Sequence, residues 1–152
     1  MTLSAGAKAP DFTLPTDGGG SVTLSALKGE SVVLYFYPKD DTTGCTAEAC
    51  GFRDAEANFK GVKAKVIGVS KDSVASHDKF KKKYGLTFTL ASDQEGHVCE
   101  DYGVWKEKSM YGRTYMGIER TTFLIGPDGI IKRVWNKVKV NGHVAEVLAA
   151  LD

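Results

Sequence analysis

Ser31-Val32-Val33-Leu34-Tyr35-Phe36-Tyr37 runs straight into Pro38-Lys39-Asp40-Asp41-Thr42-Thr43-Gly44-Cys45-Thr46-Ala47-Glu48-Ala49-Cys50. The first seven residues are nearly all β-branched or aromatic, as in a strand covered on both faces. Pro38 has no N–H for a ladder, so it suits the end of that strand. A short turn follows, and a helical pattern starts at Thr43 or Gly44 and runs to about Phe59, stopping near Gly61. Gly51 interrupts this helix and weakens it by roughly 1 kcal/mol relative to alanine. Ala64-Lys65-Val66-Ile67-Gly68-Val69 reads as the next strand. Strand, helix, strand in this order predicts a parallel βαβ unit.

The rest of the chain builds outward from that unit. Gly18-Gly19-Gly20 separates Phe12-Thr13-Leu14 from Ser21-Val22-Thr23-Leu24, predicting an N-terminal β-hairpin. Asp72 or Ser73 is placed to cap a helix that runs to about Tyr84 and stops at Gly85. A short strand is expected from Leu86 to Leu90, and a short helix carrying Cys99 from Gly96 to Tyr102. Lys106 to Glu119 is polar and glycine-containing, and reads as a long loop. Thr121–Ile125 and Ile130–Trp135 flank Gly126-Pro127-Asp128-Gly129, a strand–turn–strand pattern. A last helix is expected over roughly His143 to Leu151. A βαβ half followed by a ββα half is a thioredoxin-like α/β fold: a central mixed β-sheet flanked by helices, with the N-terminal β-hairpin as an extension. With no linker or repeat, residues 1–152 are expected to form one domain.

Composition narrows the function. A formal net charge of +1 supplies no global positive field, so nucleic-acid binding is not expected. No apolar run approaches membrane-spanning length, and Met1–Gly6 lacks the features of a signal peptide. The expected setting is cytoplasmic, and the expected state a monomer or at most a weak dimer. Three cysteines, Cys45, Cys50 and Cys99, fit no fully paired framework. In a reducing compartment a disulfide among them is expected to be transient and catalytic.

Cys45 falls where a helix begins, beside unpaired N–H groups and the positive end of the dipole. Bringing an ordinary thiol from a pKa of about 8.5 to about 6 takes roughly 3.4 kcal/mol, and a helix end contributes about 0.3–1, at most ~2. A cationic partner is therefore expected. Arg120 is the best candidate, because it opens a predicted core strand that can lie beside the first. Arg53, Arg113 and Lys39 are weaker ones. Ionisation raises thiolate only about thirtyfold, and nucleophilicity falls with pKa. The larger share must come from positioning and from donors aimed at developing negative charge. Thr42, at or near the N-cap, is placed to turn its hydroxyl toward the orphan N–H groups and the thiol.

Cys50 lies five residues on. In an ideal helix the two Cα atoms would be roughly 8.6 Å apart, beyond the ~7 Å a disulfide tolerates. A Cys45–Cys50 bond thus requires the first turns to unwind, and Gly51 sits where that is easier. Cys50 is otherwise a small apolar residue on the inner helix face, and Cys99 is expected to pack.

Pro38-x-x-x-Thr42-x-x-Cys45, followed downstream by Arg120-Thr121-Thr122-Phe123-Leu124-Ile125, resembles the peroxiredoxin active-site pattern. Gly6-x-x-Ala9-Pro10-x-Phe12-x-Leu14 and the Asp40-Asp41-Thr42-x-Gly44-Cys45-Thr46-x-Glu48 core resemble its PrxQ, or bacterioferritin comigratory protein, branch. The resemblance implies a peroxidatic Cys45 and a pocket shaped and polarised by Pro38, Thr42 and Arg120. It also implies a supporting Glu48 that orients an arginine, and a resolving Cys50. It implies reduction of hydrogen peroxide and organic hydroperoxides, recycling by a thioredoxin-type dithiol, and no metal, haem or flavin cofactor.

Two other readings share the residues. A thiol–disulfide oxidoreductase of the same fold usually carries Cys-x-x-Cys, not the longer spacing here. A non-enzymatic redox sensor would use the Cys45–Cys50 pair once and stop. His77, His97 and His143 are scattered and read as surface or packing residues rather than metal ligands. Lys79-Phe80-Lys81-Lys82-Lys83 reads as a solvated helix face with Phe80 turned inward. Trp105, Tyr111 and Tyr115 either line a substrate mouth or pack within the loop.

Overall fold

The computed structural model describes residues 3–151. Its centre is a five-stranded sheet, and the strand quoted above lies in the middle of it. In chain order the strands and helices are β1 (Thr13–Pro15), β2 (Ser21–Thr23), β3 (Ser31–Phe36), α1 (Thr43–Asp54), α2 (Glu56–Gly61), β4 (Ala64–Ser70) and α3 (Val74–Tyr84). There follow β5 (Thr89–Ser92), α4 (Val98–Asp101), β6 (Trp105–Met110), β7 (Arg113–Ile118), β8 (Thr121–Ile125), β9 (Ile131–Trp135) and α5 (His143–Ala150). The sheet order is β5-β4-β3-β8-β9. β3 and β4 are parallel, as are β4 and β5, whereas β8 runs antiparallel to both β3 and β9. This is the thioredoxin-like mixed sheet that the βαβ–ββα pattern predicts.

Two cores explain why β3 shows no polar alternation. Val32, Leu34 and Phe36 face one core with Ile67, Val69, Phe123 and the side chains of the N-terminal hairpin and α4. Val33, Tyr35 and Tyr37 face the other, with Ala49 and Phe52 of α1, Phe80 of α3 and Val147 of α5. With both faces covered, every residue of the strand after Ser31 is buried.

The helix after β3 breaks once. α1 ends at Asp54, and Ala55 (φ −95°, ψ 4°) turns the chain into α2. Gly51 does not interrupt α1. A Cβ there would come within 3.0 Å of Val144 Cγ2 on α5, so the glycine lets the two helices approach. Ser73 is the cap of α3: its Oγ accepts from Ser76 N–H at 3.1 Å. Gly85 ends that helix in the left-handed region at φ 60°. The next strand forms at Thr89–Ser92 rather than from Leu86.

Lys106–Glu119 is not a loop. β6 and β7 pair antiparallel from Trp105↔Ile118 to Met110↔Arg113. Tyr111 (φ 52°) and Gly112 (φ 78°) close them as a two-residue turn with both φ positive. The pair makes its own two-stranded sheet, and Tyr111 and Tyr115 are exposed on it. Phe80 is buried as expected, but the lysines around it are not simply solvated: Lys81 pairs with Asp17 at 2.7 Å and Lys83 with Asp41 at 2.9 Å.

Candidate active site

The first intrahelical bond of α1 runs from Thr46 N–H to the Thr42 carbonyl at 2.8 Å. Thr42 is therefore the N-cap, and Thr43, Gly44 and Cys45 are the first three helical residues, whose N–H groups have no partner within the helix. The Cys45 thiol is buried, 2% exposed, on the inner side of this turn. A thiol there meets the positive end of the helix dipole in a low-dielectric setting.

Arg120 comes to it through strand register. Phe36 at the end of β3 pairs with Thr121 at the start of β8. The residue before Thr121 therefore lies beside the chain that leads into α1. Arg120 Nη2 donates to Cys45 Sγ at 3.3 Å, and Nη1 donates to Glu48 Oε1 at 2.6 Å. One guanidinium thus spans two residues of α1 that lie on adjacent turns of the same face. Gly44 makes room for it, since a Cβ there would be 3.1 Å from Nη2.

Glu48 is fully buried, and its Oε2 has no hydrogen-bond partner. Burial pushes its carboxyl from 4.5 up to about 7, against the opposing pull of Arg120. When Glu48 holds a proton, the positive charge of Arg120 acts on Cys45 alone. When it is ionised, that charge is shared. Burial pulls Arg120 down, but Glu48 and Cys45 together hold it above the ordinary arginine value.

One expectation is corrected here. The Thr42 hydroxyl caps neither the helix nor the thiol: it donates back to the Lys39 carbonyl at 2.8 Å, closing the turn before α1. Among the weaker cationic candidates, Arg53 is engaged by Asp54 and by the Tyr84 carbonyl, and Arg113 is exposed on the β6–β7 hairpin. Pro38 lies just beyond β3, exposed on the same turn as Lys39. Cys50 is half-buried on the same helix as Cys45, and Cys99 is fully buried, with its N–H bonded to Asp93. Burial and Asp93 push the Cys99 thiol far above the ordinary range, which favours its protonated form.

Two histidines proved to be buried hydrogen-bonding residues. His143 meets Thr122 at 2.8 Å and packs against Trp135. His77 joins Asp40 and Asp72, and the three place ligand-type atoms within 4.8 Å of one another. That grouping is a hydrogen-bond network. Asp40 accepts from Tyr37 and Ser76 and meets His77 Nδ1, while Asp72 accepts from Ser70 and from Asp40 N–H. Sequence patterns give no signal for it, because its members come from separate elements.

A buried thiol on the first turn of a helix, met by a guanidinium from a neighbouring strand of a thioredoxin-like sheet, defines a thiol enzyme of that fold class. The AhpC/TSA family model matches residues 5–134. A putative peroxiredoxin bcp of Coxiella burnetii is 58% identical over 99% of this chain and 100% of its own length. Peroxiredoxin Bcp of Bacillus subtilis is 52% identical over 99% and 96%. Among solved structures, Xylella fastidiosa PrxQ superposes with a TM-score of 0.94 at 42% identity, covering 99% of this chain and 96% of that one. The Xanthomonas campestris bacterioferritin comigratory protein, studied for alkyl peroxide reduction, gives 0.89 at 45% identity over 99% and 96%. The chain belongs to the AhpC/TSA family and is a peroxiredoxin, an antioxidant thiol peroxidase.

Proposed function

We propose that Cys45 is the peroxidatic nucleophile and Cys50 the residue that resolves it. The observation that carries this reading is the 3.3 Å hydrogen bond from Arg120 to Cys45 Sγ, between residues 75 apart in sequence. The Cys45 thiolate attacks one oxygen of hydrogen peroxide or an organic hydroperoxide. The O–O bond breaks, the sulfur takes the hydroxyl as a sulfenic acid, and the other oxygen leaves as hydroxide or alkoxide and collects a proton. Arg120 and the free N–H groups at the start of α1 face the region where that negative charge develops. Pro38 and Thr42 act through the turn they build rather than through a bond to sulfur. Glu48 holds the guanidinium across the thiol.

The Cys50 thiol then displaces water from the sulfenic acid to form the disulfide. A thioredoxin-type dithiol reduces it, and the protein works as a monomer or weak dimer in the cytoplasm, where such dithiols are maintained. No helix among the described residues is long and apolar enough to cross a membrane.

Peroxide turnover with thioredoxin tests the assignment. Cys50→Ser is expected to consume about one equivalent of peroxide and then turn over at least ~10-fold more slowly, because its sulfenic acid lacks an internal thiol. Cys99→Ser is expected to keep near-normal turnover, since its thiol is buried and protonated. Wild-type turnover in Cys50→Ser rules out the resolving role. Both sulfurs of the pair lie within α1, so the bond requires that helix to open. Amide exchange over residues 44–52 is expected to be faster in the oxidised than in the reduced protein. Equal protection in the two states refutes that opening.

A further inference from the structure

The second buried polar cluster lies beneath the turn that leads into Cys45. His77, on α3, is completely buried. Its Nε2 lies 3.0 Å from the Ala91 carbonyl of β5, and its Nδ1 lies 2.7 Å from Asp40 Oδ2. A carbonyl oxygen only accepts, so Nε2 carries a hydrogen. Asp40 already accepts from the Tyr37 hydroxyl at 2.6 Å on Oδ1 and from the Ser76 hydroxyl at 2.8 Å on Oδ2. With Oδ2 only 2.7 Å away, Nδ1 is placed to donate to Asp40 as Nε2 donates to Ala91, which is the bonding pattern of an imidazolium.

Asp40 belongs to the connection, residues 37–42, that separates β3 from α1. We propose that His77, as an imidazolium, is a positioning residue for the reaction at Cys45: it ties Asp40, and through it the turn that sets the start of α1, to α3 and β5. This rests on the reading of Cys45 as the nucleophile. The next residue, Asp41, is left-handed at φ 59°, and α3 holds it too, through the Tyr84 hydroxyl at 2.6 Å and Lys83 Nζ at 2.9 Å. The same helix thus fixes the turn at a buried point and at an exposed one. The Thr42 carbonyl then receives the first helical bond, so a shift of the turn carries the first residues of α1 with it. A misplacement of about 1 Å at a reacting atom costs on the order of 10²-fold in rate.

The groups facing His77 are Tyr37 and Asp40 from the β3–α1 connection, Asp72 from the β4–α3 connection and the Ala91 carbonyl from β5. On its own helix, Ser76 bonds Asp40, and Lys81 is engaged by Asp17. Burial pulls the His77 pKa down, but Asp40, Ala91 and Asp72 together hold it above 6.5. Its stabilising contribution is therefore complete below about pH 6.5 and is lost as pH rises through the folded value. Once the ring is neutral, either Asp40 or the Ala91 carbonyl loses its donor.

Two measurements test this. Nitrogen-15 NMR of histidine-labelled wild type is expected to show both His77 ring nitrogens protonated at pH 7. Oxidation of Cys45 by hydrogen peroxide, followed in a single turnover by mass spectrometry, is expected to slow about tenfold or more in His77→Ala. In wild type that rate is expected to break downward as pH rises through the value at which the His77 ring titrates, above 6.5. In His77→Asn, which keeps a neutral donor toward Asp40, the rate is expected to recover in part and the break to vanish. A bare ring nitrogen at pH 7, or a break that persists in His77→Asn, overturns this inference alone, whatever the folding of His77→Ala. Failure of Cys45 to oxidise in wild type overturns the nucleophile assignment and this inference with it.

Discussion

Cys45→Ser is expected to abolish peroxide reduction, lowering turnover by about 10³-fold or more. A serine hydroxyl is not ionised at neutral pH, and its harder oxygen has little affinity for the O–O bond. No other cysteine among the described residues can take its place. Cys99 is fully buried and protonated, and Cys50 lies further along α1 without a bond from Arg120. The fold should survive, because Cys45 sits at 2% exposure in a site where Arg120 Nη2 already presents a donor to the new oxygen. Circular dichroism and the thermal midpoint verify that, and steady-state peroxide consumption with thioredoxin reads the activity. Full turnover in a folded Cys45→Ser sinks the assignment of the nucleophile.

Arg120→Met is expected to lower kcat/KM for peroxide by about 10²–10³-fold, the loss typical of removing one donor from a charge-stabilising site. Methionine keeps an unbranched, flexible stem but donates nothing to Sγ. Arg120→Lys should recover only part of the rate, because an ammonium is a point charge and cannot span Cys45 and Glu48 as the planar fork does. The Met variant carries a second signature. It leaves Glu48 fully buried with neither oxygen partnered. In wild type Glu48 is already raised from 4.5 to about 7, so stability is full below about pH 4.5 and is lost as pH rises through about 7. Without the guanidinium the folded value rises further. The urea midpoint of Arg120→Met is therefore expected to fall more steeply between pH 5 and pH 8 than that of wild type. Parallel curves would show that Glu48 and Arg120 are not coupled. A buried carboxylate whose folded pKa lies above its unfolded one does not stabilise the fold in its charged form. On the proposed reading its role is to orient Arg120 over the thiol.

Where local chemistry dominates, the structure follows from the residues. β3 reads as doubly covered because all its side chains after Ser31 are buried between two cores. Arg120 is recognisable because it opens an apolar strand, and antiparallel pairing of that strand with β3 brings it to Cys45. The β6–β7 hairpin is misread as a loop for an equally physical reason. Lys106, Glu107, Lys108 and Ser109 pair with a second strand rather than pack into a core, so the pattern carries no buried face. The usable signal is Tyr111-Gly112, since a glycine at the second position of a two-residue turn accepts the positive φ that closing the strands demands. Gly51 is misread because its role is contact with Val144, some ninety residues on, rather than local flexibility.

By itself the sequence determined the strand–helix–strand unit, the thiol at a helix start and the need for a distant cation, since these follow from periodicity, capping and the limited strength of a helix end. Only the tertiary structure decided which way the Thr42 hydroxyl turns, that Glu48 is buried with one bare oxygen, and that His77 reaches Asp40 across 37 residues. Those outcomes depend on which polar groups packing leaves within hydrogen-bond distance and shielded from water. No linear pattern of residues encodes that.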